Sequence, residues 1–307
     1  MSFQYAGFAL EWYEEEKLES GVVMPEMPEV ETVRRGLEEI VIGKTVSSVT
    51  VTWPRIIQAE GGVEAFESRM PGQQLEKVGR VGKFLLFYWT DVTWIAHLRM
   101  EGKYLYEPTE NPVDQYTHVI CHLTDGHDLR YRDVRKFGRI HMVEKADTEA
   151  EIAKLKLGPE PKDLTFDYLQ KRFDKTTRPI KAVLLDQGVI AGIGNIYADE
   201  ILFAAKIHPE QSARSLYDEE IQAIITESRR IMASAIEVGG TTIRTYTNTF
   251  GENGRFADYL KVYGKKGQPC TRCGTEIEKI SVAKRGTHFC PHCQRIHLSV
   301  KNTTSSI

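Results

Sequence analysis

The period of the apolar residues changes along this chain, and that change limits the folds open to it more than any other feature. From about 43 to 145 apolar residues mostly recur at every second position, in "TVSSVTVTW", "KVGRVGKFLLFYW", "TWIAHLRMEGKYLYE", "THVICHLT" and "HDLRYRDVRKFGRIHMV". Short strands separated by Gly, Asp and Asn turns predict an antiparallel sandwich or barrel. From about 163 to 239 the spacing becomes helical, in "TFDYLQKRF", "PIKAVLLDQ", "NIYADEILFAAK" and "DEEIQAIITESRRIMASAIEVGG". Ahead of the strands, "PEVETVRRGLEEIV" places apolar residues at 30, 33, 37, 40 and 41, and Pro28 with its neighbouring acids suits a helix N-terminus. The expected class is α+β, with strands and helices in separate regions.

A third region is set by chemistry. "CTRCGTEIEKISVAKRGTHFCPHC" runs from Cys270 through Cys273 and Cys290 to Cys293, a C-x2-C, 16 residues and a second C-x2-C. Two tight pairs of thiolates suit a tetrahedral Zn2+, and four protein ligands leave no open position, so the expected zinc is structural. It would fold a segment too small to have a core. Two disulfides or a redox pair are the weaker alternative, since no βαβ context surrounds the motif. Between the pairs, "EIEKISVA" and "THFC" alternate as a β-hairpin does, with Lys284, Arg285 and Gly286 in the tip "AKRGTH". Such a tip either reaches a phosphate or is a solvated turn. The fifth cysteine, Cys121, lies in an alternating run and is expected to be a buried, inert thiol.

At 307 residues, 41% hydrophobic and 27% charged, the chain predicts an ordinary protein of two or three domains. No run of about 18 apolar residues is present to span a membrane. The first twenty residues have neither a basic flank nor a long apolar run, so a secretory signal is not expected and the cytoplasm is. The net charge of −3 conceals an asymmetry. Residues 1–24 carry five Glu and one Lys, whereas 261–307 hold six Lys, three Arg and two Glu, net +7. The basic end suits a polyanion or is a solvated basic surface. "GVIAGIGN" does not match G-x-G-x-x-G and follows no strand, which argues against a dinucleotide site. A glycine turn between two helices, with Asn195 as N-cap, can instead offer backbone N–H groups to a DNA phosphate. The stretch 245–260 is either a functional loop or a linker.

Six segments, in order, resemble the bacterial formamidopyrimidine-DNA glycosylases: "MPEMPEVETVRRGL", "GRVGKFLLF", "HLRMEGKY", "YRDVRKFGR", "DQGVIAGIGNIYADEILF" and the hairpin ending "CPHCQR". The resemblance spans Met24 to Arg295. It implies an N-terminal β-sandwich with a flanking helix (24–155), a helix–two-turn–helix module (156–260) and a zinc finger (261–297), between an extension (1–23) and a tail (298–307). It implies damaged double-stranded DNA as partner, one structural Zn2+, no organic cofactor and a monomer. It also assigns residues. Pro25, exposed by removal of the initiator Met, would be the nucleophile and Glu26 the general acid/base. Glu29 would orient the helix start, or be an ordinary helix-dipole acid. Lys83 would contact phosphate and assist β-elimination, and Arg285 would assist δ-elimination. Met100, Arg135 and Phe137 would fill the gap left by a flipped base. His97, His118, Lys181 and Asn195 would touch the DNA backbone, although His118 also suits a satisfied strand histidine. Glu101 and Thr241 to Tyr246 would read the flipped base.

Two departures stand out. Thr177 replaces a basic residue found in some members, with Lys175 and Arg178 nearby. More seriously, 23 residues precede the family start, and an acylated proline nitrogen cannot form an iminium. The expected explanation is a true start at Met24. Cleavage of the extension is a second, and a DNA binder without catalysis is a third. An endonuclease VIII-like glycosylase for oxidised pyrimidines is the nearest enzymatic alternative. "PEVETVRR" and "RDVRKFG" favour the formamidopyrimidine enzymes.

Overall fold

A computed structural model describes residues 24–241 and 255–297. The expectations for 1–23, for most of the 241–260 loop and for 298–307 lie outside the described residues. The chain divides into two compact units. Among the described residues, one comprises 24–156, 238–241 and Arg255; the other comprises 157–237 and 256–297.

The first unit opens with helix α1, Met27–Val41. Its N-terminus combines Pro28 in the first turn with a capping box between Glu26 and Glu29, which satisfies amides that the helix cannot. Val30, Val33, Leu37 and Val41 form its buried stripe. Nine strands follow: β1 Val46–Val51, β2 Ile57–Ala59, β3 Leu75–Val81, β4 Phe84–Trp89, β5 Val92–His97, β6 Lys103–Pro108, β7 Thr117–Leu123, β8 His127–Arg132 and β9 Arg139–Glu144. They form a four-stranded sheet, β1-β7-β8-β6, and a five-stranded sheet, β2-β9-β5-β4-β3. One core cluster draws residues from both sheets and from α1. Within it Phe66 stacks on Trp94 at 5.0 Å and Phe87 packs on Tyr104 at 4.9 Å. Cys121 is buried there, and burial pushes its thiol pKa up, which suits an inert role.

The sheets depart from the sequence reading in two ways. β2 pairs with β9 in parallel, Ile57 opposite Ile140, so the sandwich is not wholly antiparallel. A helix, α2 Gly62–Arg69, stands between β2 and β3, and a short α3, Thr148–Lys154, follows β9.

In the second unit all four expected helices form: α4 Phe166–Phe173, α5 Ile180–Leu184, α6 Asn195–Ala205 and α7 Asp218–Glu237. Asn195 is not the N-cap. Gly194 takes that place, and Asn195 is the first helical residue. The turn before α6 is organised by Gln187, whose Nε2 donates to Leu185 O and Ile193 O while its Oε1 accepts Gly192 N–H.

The final hairpin pairs β10, Glu278–Val282, with β11, Arg285–Phe289. Its turn is tighter than the sequence suggested. Val282 pairs with Arg285, leaving only Ala283 and Lys284 to turn the chain, both left-handed at φ 48° and 63°. Phe203, Val262, Cys270, Ile277 and Cys290 form a small apolar cluster beneath it. Glu200 secures the approach by accepting the N–H groups of Lys261, Val262 and Tyr263, each at 2.9 Å. No helix among the described residues is long and apolar enough to cross a membrane.

Candidate active site, nucleic-acid interface and metal centre

Pro25 and Glu26 are buried at the start of α1. Glu29 is the hub of this corner. Its Oε2 accepts Glu26 N–H at 3.0 Å, and its Oε1 accepts both Thr241 N–H at 2.6 Å and Thr241 Oγ1–H at 2.8 Å. Gly240, at φ 77°, leaves the space this needs, since a Cβ there would lie 2.7 Å from Glu29 Oε1. Helix start and residue 241 are thereby joined through one carboxylate.

Lys83 belongs to the two-residue turn between β3 and β4, closed by the Val81–Phe84 pair. Arg80 fixes that turn: Nη1 donates to Gly82 O at 3.0 Å and Nε to Glu31 Oε2 on α1 at 2.9 Å. Lys83 is buried. Burial lowers its ammonium pKa, while the charges of Glu26 and Glu29 act in the opposite direction. Next to it, across the β4–β5 pair, His97 faces Phe84, ring edge to face at 4.7 Å. Burial, then the charges of Arg99 and Lys83, hold His97 well below the usual imidazole range. Nδ1 accepts Arg99 N–H at 2.9 Å, so the neutral ring carries its proton on Nε2. His97 can thus donate a neutral hydrogen bond but supplies no charge.

Two loops carry the expected wedge. Met100 lies in the turn after β5 beside Glu101; Arg135 and Phe137 lie between β8 and β9. The buried Asp133 shapes the second loop by accepting Arg135 N–H at 3.0 Å and Gly138 N–H at 2.7 Å. Both loops close on the Tyr131 hydroxyl, which occupies the place where a side chain at either Gly102 or Gly138 would sit. Met100 and the Arg135–Phe137 stretch are therefore held on adjacent loops. Phe137 is 39% exposed, with the Arg135 guanidinium 5.0 Å from its ring centre. A large exposed apolar side chain with a cation over it suits a group that enters a base stack. His118 is buried, and its Nε2 donates to Asp133 O at 2.9 Å. It acts on the wedge loop from beneath rather than from the surface.

In the second unit Lys181 also departs from expectation. Its ammonium is fully buried, 2.7 Å from Asp199 Oδ1, and it donates to Thr287 Oγ1 at 2.7 Å and Gly286 O at 3.1 Å. That is a strut between α5, α6 and the hairpin, with no exposed face for a phosphate. Asn195 Nδ2 donates to the same Gly286 O at 3.1 Å, and Asp199 Oδ2 accepts His288 N–H at 2.8 Å. Arg285 is half-buried at the head of β11, and Lys284 is exposed in the turn.

The four Sγ atoms of Cys270, Cys273, Cys290 and Cys293 all lie within 4.8 Å of one another. The nearest pairs, 3.5 and 3.9 Å apart, are far from the roughly 2.05 Å of a disulfide. Cys270 Sγ accepts Arg272 N–H and Cys290 Sγ accepts Cys293 N–H, each at 3.4 Å. Amide donors at sulfur favour thiolates, and four converging thiolates fit Zn2+.

The first two-thirds of the chain hid several organising groups from sequence reading: Arg80, Tyr131, Asp133 and Asp199. Each stands inside one of the six segments quoted above. That is a usable signal, but it names no partner.

Three family descriptions match the chain in succession. Residues 24–140 match the formamidopyrimidine-DNA glycosylase N-terminal domain. Residues 157–247 match the H2TH domain of the same enzymes, and 267–296 match the zinc finger found in FPG and IleRS. Formamidopyrimidine-DNA glycosylase of Bacillus cereus (strain ATCC 14579) is 50% identical over 273 residues, 88% of this chain and 99% of the relative. That of Streptococcus pneumoniae (strain R6) is 49% identical over 274 residues, 89% and 99%. Among solved structures, Lactococcus lactis Fpg in complex with DNA containing an abasic site has a TM-score of 0.84 at 40% identity, covering 88% of this chain and 100% of that one. MutM in complex with DNA containing carbocyclic 8-oxo-G has a TM-score of 0.82 at 39% identity, with the same coverage. The chain belongs to the formamidopyrimidine-DNA glycosylase family.

Proposed function

We propose that the protein is a bifunctional DNA glycosylase and AP lyase that removes oxidised purines, 8-oxoguanine and formamidopyrimidines, from double-stranded DNA. The observation that carries the reading is the buried corner at the start of α1. There Pro25 and Glu26 lie in the electrostatic company of Glu29 and of a lysine whose pKa burial has lowered.

The Pro25 nitrogen attacks C1′ of the damaged nucleotide, the glycosidic bond breaks, and the base leaves with a proton that Glu26 can deliver or relay. A free α-amino group, with a pKa of about 8 against about 10.4 for lysine, is more often neutral and nucleophilic at working pH. The C1′–O4′ bond then opens as the nitrogen lone pair forms the C1′=N double bond, O4′ taking up the proton that Pro25 has lost through Glu26, and the resulting iminium acidifies the C2′ proton. Its removal expels the 3′ phosphate, and loss of the C4′ proton then expels the 5′ phosphate. Lys83 serves the first elimination and Arg285 the second. Met100, Arg135 and Phe137 occupy the gap in the stack. His97, through Nε2–H, and Asn195 serve the backbone contacts, with His118 and Lys181 acting through the parts they hold. Zn2+ on the four cysteines braces the hairpin and takes no part in the chemistry.

This reading requires Pro25 to be the first residue of the active chain, and the family match that begins at residue 24 supports it. The regions 24–155, 156–260 and 261–297 would act as catalytic, DNA-binding and finger domains of a cytoplasmic monomer without organic cofactor. The test is borohydride trapping on 8-oxoguanine:cytosine and thymine-glycol duplexes, with the adduct mapped by mass. Preferential trapping on the first duplex, on a peptide beginning at Pro25, is expected. Preference for thymine glycol would instead support the endonuclease VIII-like reading. Binding without any adduct, on a chain still carrying residues 1–23, would defeat catalysis by the sequence as written.

A further inference from the structure

We infer that Asp199, acting with Lys181 and Thr287, is a positioning device for Arg285, and that it governs the second elimination separately from the first. The inference rests on the role of Arg285 proposed above.

The pair Lys181–Asp199 is fully buried at 2.7 Å. Taking two charges out of water costs more than their attraction usually returns, so such a pair contributes little net stability. What it does supply is fixed geometry, and here the geometry is concentrated on the residues after Arg285. Gly286 O is held by Lys181 Nζ and Asn195 Nδ2, each at 3.1 Å. Thr287 Oγ1 accepts from Lys181 at 2.7 Å and donates to Arg285 O at 3.0 Å. His288 N–H is held by Asp199 at 2.8 Å. Three consecutive residues are thus fastened to α5 and α6, and one bond reaches the main chain of Arg285 itself.

On the other side of Arg285 the chain has little slack. The turn Ala283–Lys284 contains no glycine, yet both residues are left-handed. Side chains disfavour that conformation, so it persists only where the surroundings hold it. A stiff turn on one side and a buried clamp on the other fix where the Arg285 guanidinium can reach. Loosening the clamp lets that guanidinium wander, while the amine, Glu26 and Lys83 lie in the other unit and do not depend on it. The chemistry then stops more often after the 3′ phosphate has left.

The experiment uses the active chain beginning at Pro25, with Asp199→Asn and Thr287→Val as probes and Arg285→Ala as reference. Thr287→Val keeps the shape and removes only the hydroxyl, and it stands in should Asp199→Asn fold poorly. On an abasic-site duplex, the ratio of β to β,δ products, the borohydride-trapping rate and the bound zinc are measured together. The expected result is trapping within about twofold of the parent and full zinc. The β-only product should rise by about tenfold, the effect of one lost charge-assisted hydrogen bond on a rate. An unchanged product ratio in zinc-replete variants overturns the inference. So does an equal fall in trapping and in δ-product, which would mark the clamp as general scaffolding. If Arg285→Ala itself leaves the ratio unchanged while trapping persists, the proposed role of Arg285 falls, and the inference with it.

Discussion

Two lysines are buried among the described residues, and they are buried differently. Lys181 meets Asp199 at 2.7 Å and has two further acceptors. Lys83, among the described residues, has no carboxylate in ion-pair contact; Glu26 and Glu29 act on it from farther away, and burial lowers its pKa. A protein can accommodate a buried ammonium by giving it a counter-ion or by making it release its proton more readily. The first solution fixes structure. The second leaves a group that gives up its proton more readily than an ordinary lysine, as the elimination role proposed above would use.

The largest effect expected from this contrast is on Lys181→Met. It strands the Asp199 carboxylate in the interior and should cost about 3–5 kcal/mol in denaturant unfolding. Replacing Asp199 by Leu in the same chain should restore most of that loss. If Lys181→Met alone is harmless, the two lysines are not distinct.

Lys83→Met should behave in the opposite way. It removes a charge that the fold tolerates poorly, so stability at neutral pH should hold or rise by up to about 2 kcal/mol while strand cleavage collapses. Marked destabilisation would break the comparison from the other side. pH sharpens it further. Between its lowered folded pKa and about 10.4, Lys83 binds fewer protons folded than unfolded, so its contribution to stability improves as pH rises. The advantage of Lys83→Met should therefore be greatest near neutrality and fade toward pH 10, as thermal melts across that range would show. The smallest effect is on His97. The Lys83 charge is the last of three causes depressing it, after burial and Arg99. In Lys83→Met an NMR titration should show the His97 pKa moved upward yet still below the usual imidazole value.

What could be read from the sequence was what is encoded locally. The cysteine spacing, the four helices of the second unit and the period-two strands announce themselves within a few residues. α2 escaped because its single buried residue, Phe66, makes no stripe. The parallel β2–β9 pair joins residues some eighty positions apart, which no local period reports. In the site, Glu26, Glu29 and Lys83 stood in quotable motifs. Yet the difference between a lysine with a counter-ion and one without was illegible, because it depends on Asp199 and on a hairpin a hundred residues away. Asn195 was misjudged for a similar reason: the sequence offered a good cap, but the amide is engaged by Gly286 O and Gly194 begins the helix.

The Tyr131 hydroxyl has a consequence for how this protein can evolve. It fills the space of two absent side chains, at Gly102 and Gly138. The two positions are not equivalent. At Gly138 the three nearest obstructing atoms all belong to the Tyr131 ring and hydroxyl, whereas at Gly102 the Leu98 carbonyl, a main-chain atom, stands in the way at 2.5 Å. A substitution at 138 is therefore conditional: it becomes admissible once 131 has shrunk. One at 102 stays closed whatever residue 131 becomes. Mutational histories passing through the wedge loop must run in one order, and those passing through the neighbouring turn have no order that works.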